Sequence, residues 1–154
     1  MSDLLNPYQK NSLRISLLMF EDNLRHAQAW LDGHEENGIL YRRKLDVPER
    51  NKKQARKVIA TALEIIEKLA RTFEFETEVE SASAIMRGEL VISWENLMNT
   101  QARRLRGYGE VHPQLASVLD ADIQNLAEMS FRLSELLNGS EPNKEDGGTY
   151  QNAR

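Results

Sequence analysis

Three histidines, His26, His34 and His112, and no cysteine are the whole supply of imidazole and thiol ligands in this 154-residue chain. Disulfides, thiol catalysis and thiolate-bound zinc are therefore excluded. Helical di-iron proteins bind metal through Glu-x-x-His pairs on facing helices, and no such pair occurs here. Asp22 and His26 are four residues apart and can share one helix face, which reads as an ordinary solvated pair ahead of a single metal site. The glycine-rich stretch "GYGEVH" lacks the Gly-Lys-Ser/Thr ending of a phosphate loop, and no serine stands in a nucleophile-elbow motif. The expectation is a site without a metal or cofactor.

Cations are the more informative chemistry. Between residues 42 and 57 eight basic residues (Arg42, Arg43, Lys44, Arg50, Lys52, Lys53, Arg56, Lys57) face only Asp46 and Glu49. A second group, Arg103, Arg104 and Arg106, opens the stretch "RLRGYGEVHPQL", which also holds Tyr108, His112 and Pro113. Arg42, Arg43, Lys44, Arg103, Arg104, Arg106 and Tyr108 are the candidate ligand-binding residues for an anion or an acidic partner. Arg106 and His112 have the form Arg-x5-His, which resembles the Arg-x4–6-His signature of HEPN ribonucleases, themselves helical bundles. The resemblance covers this motif alone. It implies an arginine and a histidine serving phosphate chemistry on RNA, with Arg106 and His112 as the catalytic pair. Gly107 departs from it, since a polar residue commonly follows the arginine there, and the two glycines suggest a loop rather than a helix. Glu64 and Glu67 resemble one of the two carboxylate pairs with which all-helical nucleotide pyrophosphohydrolases hold magnesium, and the third helix offers no convincing second pair.

Four apolar stripes must position these groups. Asn6, Pro7 and Gln9 read as a capping box with proline at the first helical position. Leu13, Leu17, Phe20, Leu24, Ala27 and Leu31 follow at four-three steps, and Gly33 supplies a left-handed stop. A second helix, capped by Asp46, carries Ala55, Ile59, Ala62, Ile66, Leu69 and Phe73. A third is expected from the Thr77–Glu80 box through Leu105, with Trp94 in the core opposite Ser130 and with Gly88 marking a close helix approach or, as the alternative, a local bend. The fourth starts with a turn at Pro113, takes Asp120 as a fresh cap, and runs along Ile123, Leu126, Ser130, Leu133 and Leu137. In the corner between the last two, Tyr108 is expected to fold over the bundle end and His112 to cap or point outward. The segment 38–45 reads as an ordered connection packed down by Ile39, Leu40 or Tyr41.

The fold class predicted is all-α, an antiparallel up-down four-helix bundle over residues 1–137 with a disordered polar tail at 138–154. Such a bundle brings both basic groups to one pole and the carboxylates of Glu74, Glu76, Glu78 and Glu80 to the other. The polarity also suits the helix dipoles and a solvated surface. Net charge is −4, which excludes an overall basic nucleic-acid binder, so nucleic acid ranks below a protein or a small anion among partners. No basic segment followed by an apolar one opens the chain, and no apolar run is long enough to span a bilayer, so a cytoplasmic location is expected. The function read from these features is a non-catalytic binding or interaction module. The competing reading is an enzyme acting on RNA or a phosphate compound through Arg106 and His112. Apolar residues around more than half of the first helix, Leu18 and Met19 among them, predict a homodimer.

Overall fold

The computed structural model describes residues 4–138, so the expected disordered tail from residue 139 onward lies outside the described residues. The chain is mostly helical: α1 (Pro7–Leu31), α2 (Glu49–Thr72), α3 (Ala82–Met98), α4 (Ala102–Leu105) and α5 (Leu115–Leu136), with one small two-stranded sheet of β1 (Glu36–Asn37) and β2 (Arg42–Arg43). It divides between Glu78 and Val79 into two compact units.

In the first unit α1 begins with the expected capping box: Asn6 Oδ1 accepts the Gln9 N–H and Gln9 Oε1 accepts the Asn6 N–H, both at 2.9 Å. It ends in a Schellman motif, in which the His34 N–H reaches Ala29 O at 3.1 Å and Gly33 adopts φ 95°. Helix α2 starts without a side-chain cap at Pro48, so Asp46 does not play that part. The two helices run back along each other. At the turn, Arg56 Nη2 donates to Leu31 O at 2.6 Å, and at the far end Arg14 pairs with Glu78 at 2.9 Å. Between these ties Leu24, Leu31, Ile59 and Ile66 form a buried core, flanked by Leu17, Ala55 and Ala62. Each such side chain contributes about 1.5–3 kcal/mol by leaving water.

The sequence around residue 40 behaves differently from expectation. Ile39 and Leu40 are fully exposed rather than packed down, because the segment turns as a β-hairpin in which Glu36 pairs with Arg43 and Asn37 with Arg42. A Cβ at Gly38 would lie 2.6 Å from the Tyr41 ring, so a side chain there would have to displace that half-exposed ring.

Helix α2 ends in a second Schellman motif, with Phe75 N–H on Ala70 O at 2.9 Å, but its left-handed residue is Glu74 at φ 54°. A side chain there costs about 1 kcal/mol that glycine avoids. Glu74→Gly is therefore expected to raise stability by no more than about 0.5 kcal/mol after its larger unfolded-state entropy is counted, which thermal unfolding of the two chains will measure.

In the second unit α3 and α5 also run in opposite directions. Ser130 Oγ donates to Leu90 O at 2.8 Å, the Arg87 guanidinium reaches Asn138 Oδ1, and Asp120 lies by the start of α4. Helix α5 turns small residues inward: Ala127 is wholly buried and Ser130 nearly so. No residue of α3 is buried. Trp94 is 42% exposed, at the edge of an apolar hollow with Leu90, Val91 and Phe131, so it is not the core residue expected. The Ser130 hydroxyl bonds the backbone one turn earlier instead of the indole. A Cβ on Gly88 would meet nothing within 4 Å, so no close approach explains that glycine.

Helix α3 starts at Ser81, whose hydroxyl accepts the Ala84 N–H at 3.2 Å, rather than at Thr77. It stops at Met98 instead of continuing to Leu105. Thr100 Oγ1 takes the Leu97 carbonyl at 2.7 Å and Gln101 is extended, which is the local competition that threonine and asparagine offer to a helix. None of the described helices is long and apolar enough to cross a membrane.

Candidate functional site

The interruption after α3 builds the corner. Helix α4 is a single turn, continued by a 3-10 turn over Arg106–Tyr108, and Gly109 at φ 143° redirects the chain in a conformation open to glycine. Because α4 has no cap of its own, the N–H of Ala102, a residue only 4% exposed, needs a partner from elsewhere. Asp120, one turn into α5, provides it: Oδ1 accepts the Ala102 N–H at 2.8 Å. Asp120 is thus not the first residue of a fresh helix, as expected, but the clamp that holds α4 against α5. That role spans eighteen residues and leaves no local signature.

His112 is held from the other side. Its Nδ1 accepts the Gln114 N–H at 3.2 Å, and its carbonyl accepts the Leu115 N–H at 3.0 Å, so it braces the turn that leads into α5. The proline after it keeps its own backbone out of the helix.

These two anchors enclose a cavity of about 180 Å³ lined by Arg103, Arg106, His112, Asp120, Val111 and the small residues Ala102, Pro113 and Ala116. Arg103 and Arg106, singled out by their charge, and His112, singled out by its spacing from Arg106, line the same cavity. Arg104 and Tyr108 are not part of that wall; Tyr108 is 91% exposed and does not fold back over the helix end. Among the described residues no carboxylate stands within salt-bridge distance of Arg103 or Arg106. Asp120 shares the cavity but its carboxylate is engaged with the Ala102 N–H.

No family model, curated protein or solved structure matches this chain. The site is therefore read from its own chemistry.

The other basic group belongs to the first unit and is partly consumed by structure. Arg43 donates to Glu36 at 2.6 Å and lies over the Tyr41 ring, 4.3 Å from its centroid. Its guanidinium, with His34 next, holds the Glu36 carboxyl below its ordinary pKa. Lys52 does the same to Glu49 at the start of α2. Arg56 is spent on the Leu31 carbonyl. Arg42 and Lys44 are exposed and among the described residues make no ion pair. Among the described residues no three His, Asp or Glu side chains gather as metal ligands. Asp22 and His26 form a lone exposed i,i+4 pair at 3.6 Å.

Chemically, the cavity offers two guanidiniums and an imidazole to one small guest. Guanidinium forks match the paired oxygens of a phosphate or carboxylate. Such a guest meets a net positive wall even with Asp120 present.

Proposed function

We propose that this chain is a non-catalytic binding module whose corner cavity takes the phosphate group of a small ligand. The observation that carries the reading is the convergence of Arg103, Arg106 and His112 on one cavity, with neither arginine ion-paired to a carboxylate among the described residues. Unpaired cations at a concave surface are what an anion site requires, and two arginines give it orientation as well as charge. The scaffold proposed for it is the antiparallel up-down four-helix bundle, in which one α1–α2 hairpin faces one α3–α5 hairpin. Arg104 and Tyr108, chain neighbours of Arg103 and Arg106, are proposed at the rim of the cavity.

Calorimetric titration of the purified chain with inorganic phosphate and with a nucleoside 5′-monophosphate tests the reading. Binding should weaken about tenfold or more in Arg106→Ala, the loss of one charge-assisted pair, while helix content stays unchanged. Absence of binding by the intact chain, or equal binding by Arg106→Ala, would sink it.

A second reading is favoured by the same meeting of Arg106 and His112: an RNA-cleaving enzyme of the HEPN kind. Under it, purified protein cuts RNA without added metal and His112→Ala, still folded, does not. Under the binding reading neither protein cuts.

A further inference from the structure

The turn of the small β-hairpin breaks a local rule. Turns ordinarily carry Gly, Asn, Asp or Ser, yet Ile39 and Leu40 occupy this tip, at 102% and 95% exposure. Departures of this kind gather where a sequence serves function rather than folding. The turn is tied down from below. Gly38 N–H donates to Tyr41 O at 2.8 Å, Glu36 pairs with Arg43 in the stem, and the Arg43 guanidinium lies over the Tyr41 ring. The chemistry is layered along the hairpin: two aliphatic side chains, then the half-exposed Tyr41, then the exposed cations Arg42 and Lys44. From Asn37 to Leu45 three basic residues meet no carboxylate. The flanking acids are Glu35, Asp46 and Glu36, the last held by Arg43. Over residues 32–57 eight Arg and Lys still outnumber five Asp and Glu.

We infer that this hairpin docks on an anionic phospholipid surface, with Ile39 and Leu40 entering the headgroup–acyl boundary and Arg42 and Lys44 meeting the lipid phosphates. The layers match those of a bilayer face, where aliphatic side chains sit deepest, tyrosine lies at headgroup level, and cations meet the anionic leaflet. Depth agrees as well. Arg42 lies two residues from Leu40, about 7 Å of extended chain, within the ~5–10 Å to which interfacial segments bury their apolar side. Water still reaches the backbone of the turn at that depth, as its amides require. A protein partner fits less well, because two side chains expose far less than the ~1,000 Å² of a specific interface. Apolar insertion and charge each give marginal attachment alone, and together they give a stable one. The inference lies in the first unit and does not depend on the corner cavity.

Co-sedimentation of the full chain with vesicles tests it, using phosphatidylcholine alone and phosphatidylcholine with about 30% phosphatidylserine. The chain is expected to pellet with the anionic vesicles only. Ile39→Ser with Leu40→Ser should weaken that binding by about tenfold or more, and Arg42→Glu with Lys44→Glu by about as much. Helix content should stay unchanged, because the replaced side chains are exposed. In Leu40→Trp, bromine-labelled acyl chains should quench the added indole. No binding to anionic vesicles, equal binding to neutral ones, or binding that the serine variant retains would each overturn the inference. The last would reduce the contact to adsorption through the lysines of α2. A chain that ignores vesicles but changes from dimer to monomer in the serine variant would assign the tip to a second copy, and would overturn it too.

Discussion

Ala127→Leu should be the most damaging single change in the second unit, lowering stability by about 3 kcal/mol, the upper end of the cost of overpacking. In a unit of this size that corresponds to a fall of roughly 10 °C or more in the unfolding midpoint. Ala127 is the one described residue with no exposed surface, and Ser130, the next inward position on α5, bonds directly to the α3 backbone at Leu90. A leucine cannot enter that seam without driving the helices apart and breaking the Ser130 bond. Ser130→Ala is the companion measurement. It removes the hydroxyl and leaves the Leu90 carbonyl, already used within its own helix, with its remaining bond, so its cost should stay near 1 kcal/mol. Thermal unfolding of the two variants side by side will decide. Equal, small losses would mean that α3 and α5 do not meet along this seam.

The second large effect is expected at Asp120, where stability and binding should separate. Asp120→Ala strips the partner from the buried Ala102 N–H, which costs about 1–3 kcal/mol, and frees α4 from α5. The arginines of α4 then lose their fixed position, so phosphate binding should weaken even though a negative charge has been removed. Asp120→Asn keeps an oxygen for the Ala102 N–H while deleting the charge beside Arg103 and Arg106. It should keep most of the stability and bind phosphate severalfold more tightly, since like charge is removed from the wall the anion meets. Chemical denaturation and phosphate titration of both variants provide the check. A loss of affinity in Asp120→Asn would mean that the anion does not sit in this cavity.

What the sequence made legible was local. Asn6 with Gln9, Gly33, and the line Ala55–Ile59–Ala62–Ile66 depend on residues within a turn or two of one another, and each appears where its spacing puts it. The features that escaped depend on distant partners or on small competitions. The end of α3 at Met98 turns on one threonine hydroxyl taking one carbonyl, and the clamp from Asp120 to Ala102 joins positions with no periodic relation. Trp94 was expected in the core from its line on the third helix opposite Ser130, and Tyr108 over the bundle end, but a place on a helix line does not say how closely the facing helix covers it. In the first unit Ile39 and Leu40 show the same point, exposed on a turn whose shape is set by Gly38 and Tyr41. The candidate site was half legible. The basic cluster marked Arg103 and Arg106 and the motif spacing marked His112, while Arg104 and Tyr108, named with them, stand outside the cavity lining and Asp120 entered it through a contact made only on folding.

The bond between His112 Nδ1 and the Gln114 N–H has a consequence for proton chemistry. A neutral imidazole carries one hydrogen, and a nitrogen that accepts from the backbone cannot be the one that holds it. The tautomer of the neutral ring is thereby selected: the hydrogen resides on Nε2, which is left as the ring's donor. An oxygen of a bound anion can receive that hydrogen bond. A hydroxyl seeking a base would find no lone pair there until the Nδ1 bond is broken and the hydrogen relocated. The helix entry that orients this ring thus also biases it toward holding a phosphate oxygen rather than removing a proton.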